Sequence, residues 1–334
     1  MADPESGPLL VTGATGFIGR HLVPELLADG YSVRCLVREN SRKRAQRYLP
    51  VEAEVVFGDL DDGEALRMAA AGCVGVLHLA SPSAWDLIGD PVVEEMILEG
   101  VRNVFEAASW NGVERILYVS SLAALGPASG SPVTEAKPEA IPRGLYYAQG
   151  KRKAGDWLRR AAEQAGMETV VVYPAEVYGP GDDDFVTASN LVRLLQQRPR
   201  LVPDGGTAIV HVEDVSRGIA TAWKRGASGS DYLFAGENLR LKTLADRTLR
   251  AAGKSGRYGV LPWFLLAFPV WLERALGLRF GLDAPVLEYA RYRWFADASK
   301  AREELGLEFR DAESVLEPTL RWLLRRYERG IEGR

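Results

Sequence analysis

Apolar positions in the first half of the chain come in two alternating forms. Short runs, apolar almost throughout, recur at residues 8–12, 32–37, 53–57, 74–79, 115–119 and 169–173. Between them, residues 17–29, 62–71, 92–111 and 145–166 carry apolar side chains at helical spacing. Runs with no polar face read as strands covered on both sides, and a helix between successive strands makes a right-handed βαβ unit. The predicted class is α/β, a doubly wound parallel Rossmann sheet. Past Pro174 the pattern loosens. Strand-like pieces at 208–211 and 232–235 mix with helical stretches near 186–197, 213–224 and 242–252, which predicts a smaller mixed α/β C-terminal lobe. The expected division gives residues 1–174, with a returning segment near 208–225, to the sheet domain, and 175–207 and 226–330 to the lobe.

The first strand–helix junction reads Val11-Thr-Gly-Ala-Thr-Gly-Phe-Ile-Gly19. Glycines at 13, 16 and 19 permit a tight turn, a close approach of backbone to ligand, and close packing of helix on strand. The helix start that follows presents unpaired N–H groups and a positive dipole end, which favour a pyrophosphate. A strand before and a helix after supply the context that turns a glycine-rich run into a dinucleotide site.

Composition narrows the alternatives. With 334 residues and 47% hydrophobic content, the chain can build one large unit and a smaller one. A net charge of -4 gives no reason to expect a nucleic-acid partner. Cys35 and Cys73 stand outside any CxxC pattern and read as reduced core thiols, and His21, His78 and His211 lack metal-ligand spacing, so no metal is expected. The polar start of the chain does not read as a signal peptide, which points to the cytoplasm. The final Ile-Glu-Gly-Arg matches a protease tag.

Tyr147 and Lys151 stand four apart at the start of a helical stretch, so both point to one face. An ammonium stabilises a phenolate, which suits Tyr147 to general acid work; the bland reading is a solvated helix face. The strand Arg115-Ile-Leu-Tyr-Val-Ser-Ser121 ends in two hydroxyls, Ser120 and Ser121. These either cap a strand end or place Ser121 to hold a substrate carbonyl beside Tyr147.

With these residues the chain resembles the extended short-chain dehydrogenase/reductases of the NAD-dependent epimerase/dehydratase family. The match runs from residue 8 to about 325 through the glycine spacing, Gly58-Asp-Leu60, Val76-Leu-His-Leu-Ala-Ser81, Tyr118-Val-Ser-Ser121, Tyr147-x-x-x-Lys151, Tyr173-Pro-Ala-Glu-Val-Tyr-Gly-Pro-Gly181 and Val210-His-Val-Glu-Asp214. The resemblance implies tyrosine-dependent hydride transfer with a nicotinamide. Tyr147 would be the acid/base, Lys151 would bind the ribose and lower the tyrosine pKa, and Ser121 would orient the carbonyl. Gly13, Thr15, Gly16, Phe17, Ile18 and Gly19 would cradle the pyrophosphate, and Asp59 and Leu60 would flank the adenine. Ala80, Ser81 and Ser120 would line the trough, with Pro174, Ala175 and Val177 at the nicotinamide. Ser83, Trp85 and Glu176 would face the substrate. Two positions depart from the family pattern: the asparagine of its proton relay is Ile97, and the arginine before Pro174 is Tyr173.

An acidic residue ending the second strand would bind the ribose hydroxyl of NAD. Here the strand ends in Arg38, followed by Ser41, Arg42, Lys43 and Arg44. Guanidinium groups suit a 2′-phosphate, so NADP(H) is preferred over NAD(H). The run Pro262-Trp-Phe-Leu-Leu-Ala-Phe-Pro-Val-Trp-Leu272 is too short to span a bilayer. It reads as a buried helix, a cap over an apolar substrate, or, with Arg274 and Arg279, an interfacial foot over residues 262–279 at the inner membrane face. The stretch resembles dihydroflavonol reductase-like, hopanoid-associated and 3β-hydroxysteroid dehydrogenase-like members. The leading expectation is NADPH-dependent reduction of a ketone, or the reverse alcohol oxidation, on a bulky apolar molecule such as a 3-oxo lipid, sterol-like or flavonoid-like compound. The alternatives are a nucleotide-sugar epimerase or dehydratase with bound NAD, and a non-catalytic NADP-binding sensor. A homodimer is compatible with the sequence.

Overall fold

A computed structural model describes residues 7–82, 87–265 and 284–328. The expectations on Ser83, Trp85, residues 266–279 and the terminal Ile-Glu-Gly-Arg lie outside the described residues. The first half runs β1 (Leu9–Thr12), α1 (Gly19–Ala28), β2 (Val33–Val37), α2 (Arg42–Tyr48), β3 (Glu54–Phe57), α3 (Gly63–Ala70), β4 (Gly75–His78), α4 (Val92–Trp110), β5 (Arg115–Val119), α5 (Tyr146–Ala165) and β6 (Glu168–Pro174). It continues as β7 (Glu176–Tyr178), α6 (Ala188–Gln196), β8 (Leu201–Pro203), β9 (Gly206–His211), α7 (Val212–Arg225), β10 (Ser230–Phe234), β11 (Glu237–Arg240) and α8 (Leu241–Ala251). The remaining elements are β12 (Gly259–Leu261), α9 (Ala284–Ala290), β13 (Arg293–Trp294), α10 (Ser299–Leu305) and α11 (Ala312–Glu328).

Seven strands form one parallel sheet in the order β10-β6-β5-β4-β1-β2-β3. Their central residues, such as Leu9, Val11, Val76, Leu117 and Val170, are wholly buried, as the unbroken apolar runs require. Strand order reverses between β1 and β4, so the crossovers leave in opposite directions and open a crevice at the carboxyl ends of these strands. Local chemistry sets the helix limits. The Asp62 carboxylate accepts the N–H groups of Glu64 and Ala65 and so starts α3, while Gly166 takes the left-handed conformation (φ 67°) that ends α5.

The C-terminal lobe has its own core of Tyr178, Leu191, Ile209, Leu244, Val315 and Leu320. Its sheet runs β11-β9-β13, with β7 also paired to β9, and β12 pairs with β8 apart from it. Two elements differ from the expected division. Residues 226–330 were assigned to the lobe, yet β10 pairs in parallel with β6, because buried Tyr232, Leu233 and Phe234 complete the large sheet's edge. Within 208–225, α7 does lie against α1 and β6, whereas β9 belongs to the smaller sheet.

The glycine loop leaves no room for a methyl group. A Cβ on Gly19 would stand 2.2 Å from the Gly13 carbonyl oxygen and 2.7 Å from the Ala14 Cα, both backbone atoms that cannot swing aside. Gly19→Ala is therefore expected to destabilise the fold by about 1–3 kcal/mol, as overpacking does. Gly63→Ala, whose added methyl meets nothing nearer than 3.8 Å, serves as the control and should be neutral or slightly stabilising in the same urea titration.

Candidate active site

Six carboxyl-terminal strand ends converge on the crevice. Gly13 follows β1 with φ +74°, and a Cβ there would lie 2.7 Å from the Ala80 amide nitrogen. The backbones after β1 and β4 thus touch. Thr12 Oγ1 pins them further, pairing with His78 Nδ1 at 2.7 Å and accepting the Ala80 N–H at 3.3 Å. His78 is buried and stacked on Tyr118, and burial pushes its pKa down to about 3, so it stays neutral. The loop through Thr15, Phe17 and Ile18 then turns into α1, whose first residue is Gly19. A backbone trough with no Cβ at 13, 16 or 19, feeding a helix start, fits a dinucleotide pyrophosphate.

At the next strand ends the basic run separates into distinct roles. Arg38 ends β2, exposed and without an ionic partner among the described residues. Arg42 pairs with Glu39 at 2.8 Å while its guanidinium lies 3.8 Å from the Phe57 ring centroid. Arg44 turns inward, donating to the Thr15 carbonyl at 3.1 Å and to Asp184 at 2.6 Å. After β3, exposed Asp59 accepts the Leu60 N–H, and Asn103 of α4 donates to the Leu60 carbonyl at 2.8 Å, fixing this turn beside the glycine loop.

The hydroxyls and the amine meet between β5 and α5. Ser121 Oγ accepts the Ala123 N–H at 3.2 Å at the head of a short 3-10 turn. The buried Ser120 hydroxyl has no partner of good hydrogen-bond geometry among the described residues, an orphan that a bound ligand would satisfy. Lys151 is 2% exposed, donates to the Val119 carbonyl at 3.1 Å, and holds its ammonium 5.9 Å from the Tyr147 ring centroid. Burial drives the Lys151 pKa down to about 7. Burial likewise pushes Tyr147 up to about 12, against a smaller opposing pull from the Ser121 hydroxyl. In this state Tyr147 is a neutral phenol at pH 7, and a charged Lys151 beside it would make that phenol a stronger proton donor.

The two departures from the family pattern are both absorbed by packing. Ile97 is buried in α4, where a Cβ on Gly150 would come within 3.2 Å of its Cδ1. An apolar contact between α4 and α5 thus stands where the resemblance implies a relay asparagine. The Tyr173 hydroxyl meets Arg159 of α5, which also clasps both Asp231 oxygens at 2.9 and 2.8 Å. Beyond β6, Pro174, Ala175 and Val177 continue along the crevice and are buried. Glu176 accepts the Tyr178 hydroxyl and the Asn190 amide, each at 2.6 Å, and burial raises its carboxyl above the ordinary range.

Several residues at the site carry no sequence signal strong enough to single them out. The Tyr289 hydroxyl of α9 accepts the Ala148 N–H at 3.2 Å, in the first turn of α5 and next to Tyr147. Its ring stacks on Trp294, whose indole N–H returns to the Tyr289 carbonyl at 2.9 Å. Asp183 binds Arg20 of α1 at 2.7 Å and also meets Tyr48 of α2 and Arg326 of α11, so the loop after β7 is tied to the glycine-loop helix and to the last helix. Polar Thr12 and His78 interrupting apolar strand ends were the available hint; the others are joined only in space. Among the described residues no cluster of His, Cys, Asp or Glu is arranged to hold a metal, and none of their helices is long and apolar enough to cross a membrane.

Comparison with known proteins agrees with this geometry. The NAD dependent epimerase/dehydratase family profile matches residues 9–235. A Synechocystis sp. protein provisionally named dihydroflavonol 4-reductase is 32% identical, with 93% of each chain covered. A 4-hydroxy-2-methyl-3-oxo-4-farnesyl-3,4-dihydroquinoline-1-oxide ketoreductase of Stigmatella aurantiaca is 30% identical over 89% of this chain and 90% of its own. The dTDP-glucose 4,6-dehydratase structure from Streptomyces venezuelae, solved with NAD bound, superposes with a TM-score of 0.76 at 25% identity, covering 97% and 98% of the two chains.

The buried amine makes stability depend on pH. Lys151 loses its proton near 7 in the folded chain and near the ordinary 10.5 when unfolded, so between these values the unfolded state binds more protons. Stability should therefore rise with pH across that window. Lys151→Met is expected to flatten the rise, as read by urea unfolding at the two ends of the window. Tyr289→Phe keeps the stacked ring but removes the acceptor for the Ala148 N–H, and should lower kcat several-fold through misplacement of Tyr147 with little change in melting temperature.

Proposed function

This chain belongs to the NAD dependent epimerase/dehydratase family, as an NAD(P)-dependent oxidoreductase of the extended short-chain dehydrogenase/reductase type, and we propose that it uses NADPH to reduce a ketone on a bulky, largely apolar molecule. The observation that carries this reading is the placement of Tyr147, one helical turn from buried Lys151 and beside the Ser121 hydroxyl. When bound, the nicotinamide supplies the hydride. Ser121 holds the ketone oxygen, and Tyr147 donates its phenolic proton to that oxygen as the carbonyl carbon is reduced. The Lys151 ammonium, with no carboxylate paired to it among the described residues, stabilises the phenolate left behind. Position 97, an isoleucine, offers no side-chain polar group to a proton relay.

Cofactor contacts follow the crevice: the loop from Gly13 to Gly19 at the pyrophosphate, Asp59 and Leu60 at the adenine, and Ala80, Ser81 and Ser120 along the trough. Lys151 meets the ribose, and Pro174, Ala175 and Val177 border the nicotinamide. NADP(H) is preferred because Arg38 ends β2 with its guanidinium uncommitted, where an acidic residue would suit NAD. Arg42 assists from its stack on Phe57. For the substrate, the Tyr289 ring, next to Tyr147 and packed on Trp294, favours an apolar body, a 3-oxo lipid, sterol-like or flavonoid-like compound. The relative whose named substrate bears a farnesyl group supports the same class. Glu176, whose carboxyl burial shifts upward while it accepts the Tyr178 hydroxyl and the Asn190 amide, is the polar contact on that side.

The test is a panel of lipid, steroid and flavonoid ketones followed by NADPH oxidation. Tyr147→Phe is expected to cut kcat by about 10²–10⁴ with the fold intact, the usual contribution of a general acid; undiminished turnover would falsify the tyrosine mechanism. Arg38→Ala should weaken NADPH by about tenfold or more and leave NADH unchanged, since one charge-assisted contact to the 2′-phosphate is lost. Tighter binding of NADH than NADPH by the unmodified chain would overturn the cofactor preference.

A further inference from the structure

One edge of the lobe concentrates positive charge and exposed apolar side chains, and the reaction described above uses neither. Between Asp246 and Glu273 the sequence carries Arg247, Arg250, Lys254 and Arg257 and no acidic residue, although the whole chain is acidic at -4. Lys242, Asp246, Arg250, Lys254, Gly256 and Arg257 line a single cavity of 380 Å³ at the end of α8. Its one carboxylate, Asp246, is already taken by Lys242 at 2.6 Å and by the Tyr258 N–H at 2.7 Å. Arg250 and Lys254 are exposed with no acidic partner among the described residues, and exposed Arg257 faces only Asp246, which Lys242 already binds. The cavity therefore carries an uncompensated excess of cations.

The chain leaves this cavity along β12 and presents large apolar groups to solvent. Val260 is 42% exposed, Phe264 73% and Leu265 53%. This segment is anchored and not a loose tail. Gly259 donates to the Arg200 carbonyl at 2.9 Å, the Arg200 guanidinium returns to the Ser255 carbonyl at 2.6 Å, and Arg291 stacks 4.5 Å from the Trp263 ring centroid. From Arg257 to Phe264 is seven residues, at most about 25 Å even if fully extended, so the cations and the exposed apolar groups lie close together on this edge.

We infer that this edge, from α8 through Leu265, docks the protein on an anionic lipid surface. The cations meet headgroup phosphates and Phe264 and Leu265 enter the acyl boundary. Charge decides among occupants. A second copy of an acidic chain offers no concentrated negative face by necessity, whereas an anionic leaflet attracts each added cation, and aromatic and leucine side chains insert where basic groups hold the surface. The dock would place the lobe against the reservoir of an apolar substrate, but its existence does not depend on which ketone is reduced.

Cosedimentation of the full chain with phosphatidylcholine vesicles, with and without phosphatidylglycerol, tests this. Binding is expected only where phosphatidylglycerol is present, and it should weaken steeply as salt is raised. The triple variant Arg250→Glu/Lys254→Glu/Arg257→Glu should lose at least about tenfold in vesicle partitioning, since several surface cations are reversed. Phe264→Ser/Leu265→Ser should also bind more weakly, with the salt dependence kept. NADPH affinity of both variants should be unchanged, which separates a failure of docking from a failure of the enzymatic reading. The inference is overturned if phosphatidylglycerol vesicles bind nothing, or if charge reversal leaves partitioning unaltered. It is also overturned if inorganic phosphate binds the cavity while vesicles do not, or if the patch proves to join two copies of the chain.

Discussion

The contact on which the rest of the site depends is the approach of two backbones at the point where strand order reverses. Gly13 and Ala80 lie so close that any side chain at 13 would strike the amide of 80. Thr12 and His78, in register on neighbouring strands β1 and β4, hold that approach with one short hydrogen bond. A buried imidazole is an expensive choice for a structural peg unless it stays neutral, and burial ensures that it does. With the pair in place, the glycine loop is fixed on one side of the crevice and the trough of Ala80 and Ser81 on the other. Everything a dinucleotide touches is referred to that seam.

The same crevice contains a second tension, the burial of Lys151. Its ammonium has a backbone carbonyl and two aromatic rings for company and, among the described residues, no carboxylate. A carboxylate partner would make the lysine easier to bury but would spend its charge, leaving little to stabilise a phenolate. The desolvation that depresses Lys151 and raises Tyr147 is one cause acting on two groups of opposite charge type. An anionic ligand entering beside them would favour the charged lysine and, through it, a more acidic tyrosine. The pair is thereby responsive to what binds, which a solvated helix face could not be.

What could be read in the amino-acid order was whatever chemistry is local. Glycines at 13, 16 and 19, the Ser120–Ser121 strand end and the four-residue step from Tyr147 to Lys151 each lie within one turn or one strand end, so spacing alone places their side chains together. The parallel sheet was legible for a related reason, since strands covered on both faces leave unbroken apolar runs. The remainder is assembled across the chain. Tyr289 reaches Ala148 over 141 residues, Arg44 reaches Asp184 over 140, and Arg326 reaches Asp183 over 143. No periodicity encodes such partners. Strand β10 escaped assignment to the large sheet because its neighbour β6 lies more than 50 residues earlier, with the lobe's first elements between them.

These long-range ties also explain how a lobe with so irregular a pattern can still shape a precise site. Asp183 is the hub. Arg20 brings it to the helix that carries the glycine loop, Tyr48 to α2 and Arg326 to the last helix, so three distant elements converge on one carboxylate that the Tyr48 hydroxyl and the two guanidiniums hold below its ordinary pKa against its burial. Arg44 and Asp184 repeat the arrangement one residue on, with the guanidinium also grasping the Thr15 carbonyl inside the glycine loop. Displacing the loop after β7 would therefore move the phosphate cradle, and ordering the cradle would steady that loop. Glu176 and Val177 stand just before it, so on the proposed reading the cofactor and substrate sides of the crevice are mechanically one structure. Specificity can then be altered by residues that touch neither ligand, through the strength of a salt bridge at 183.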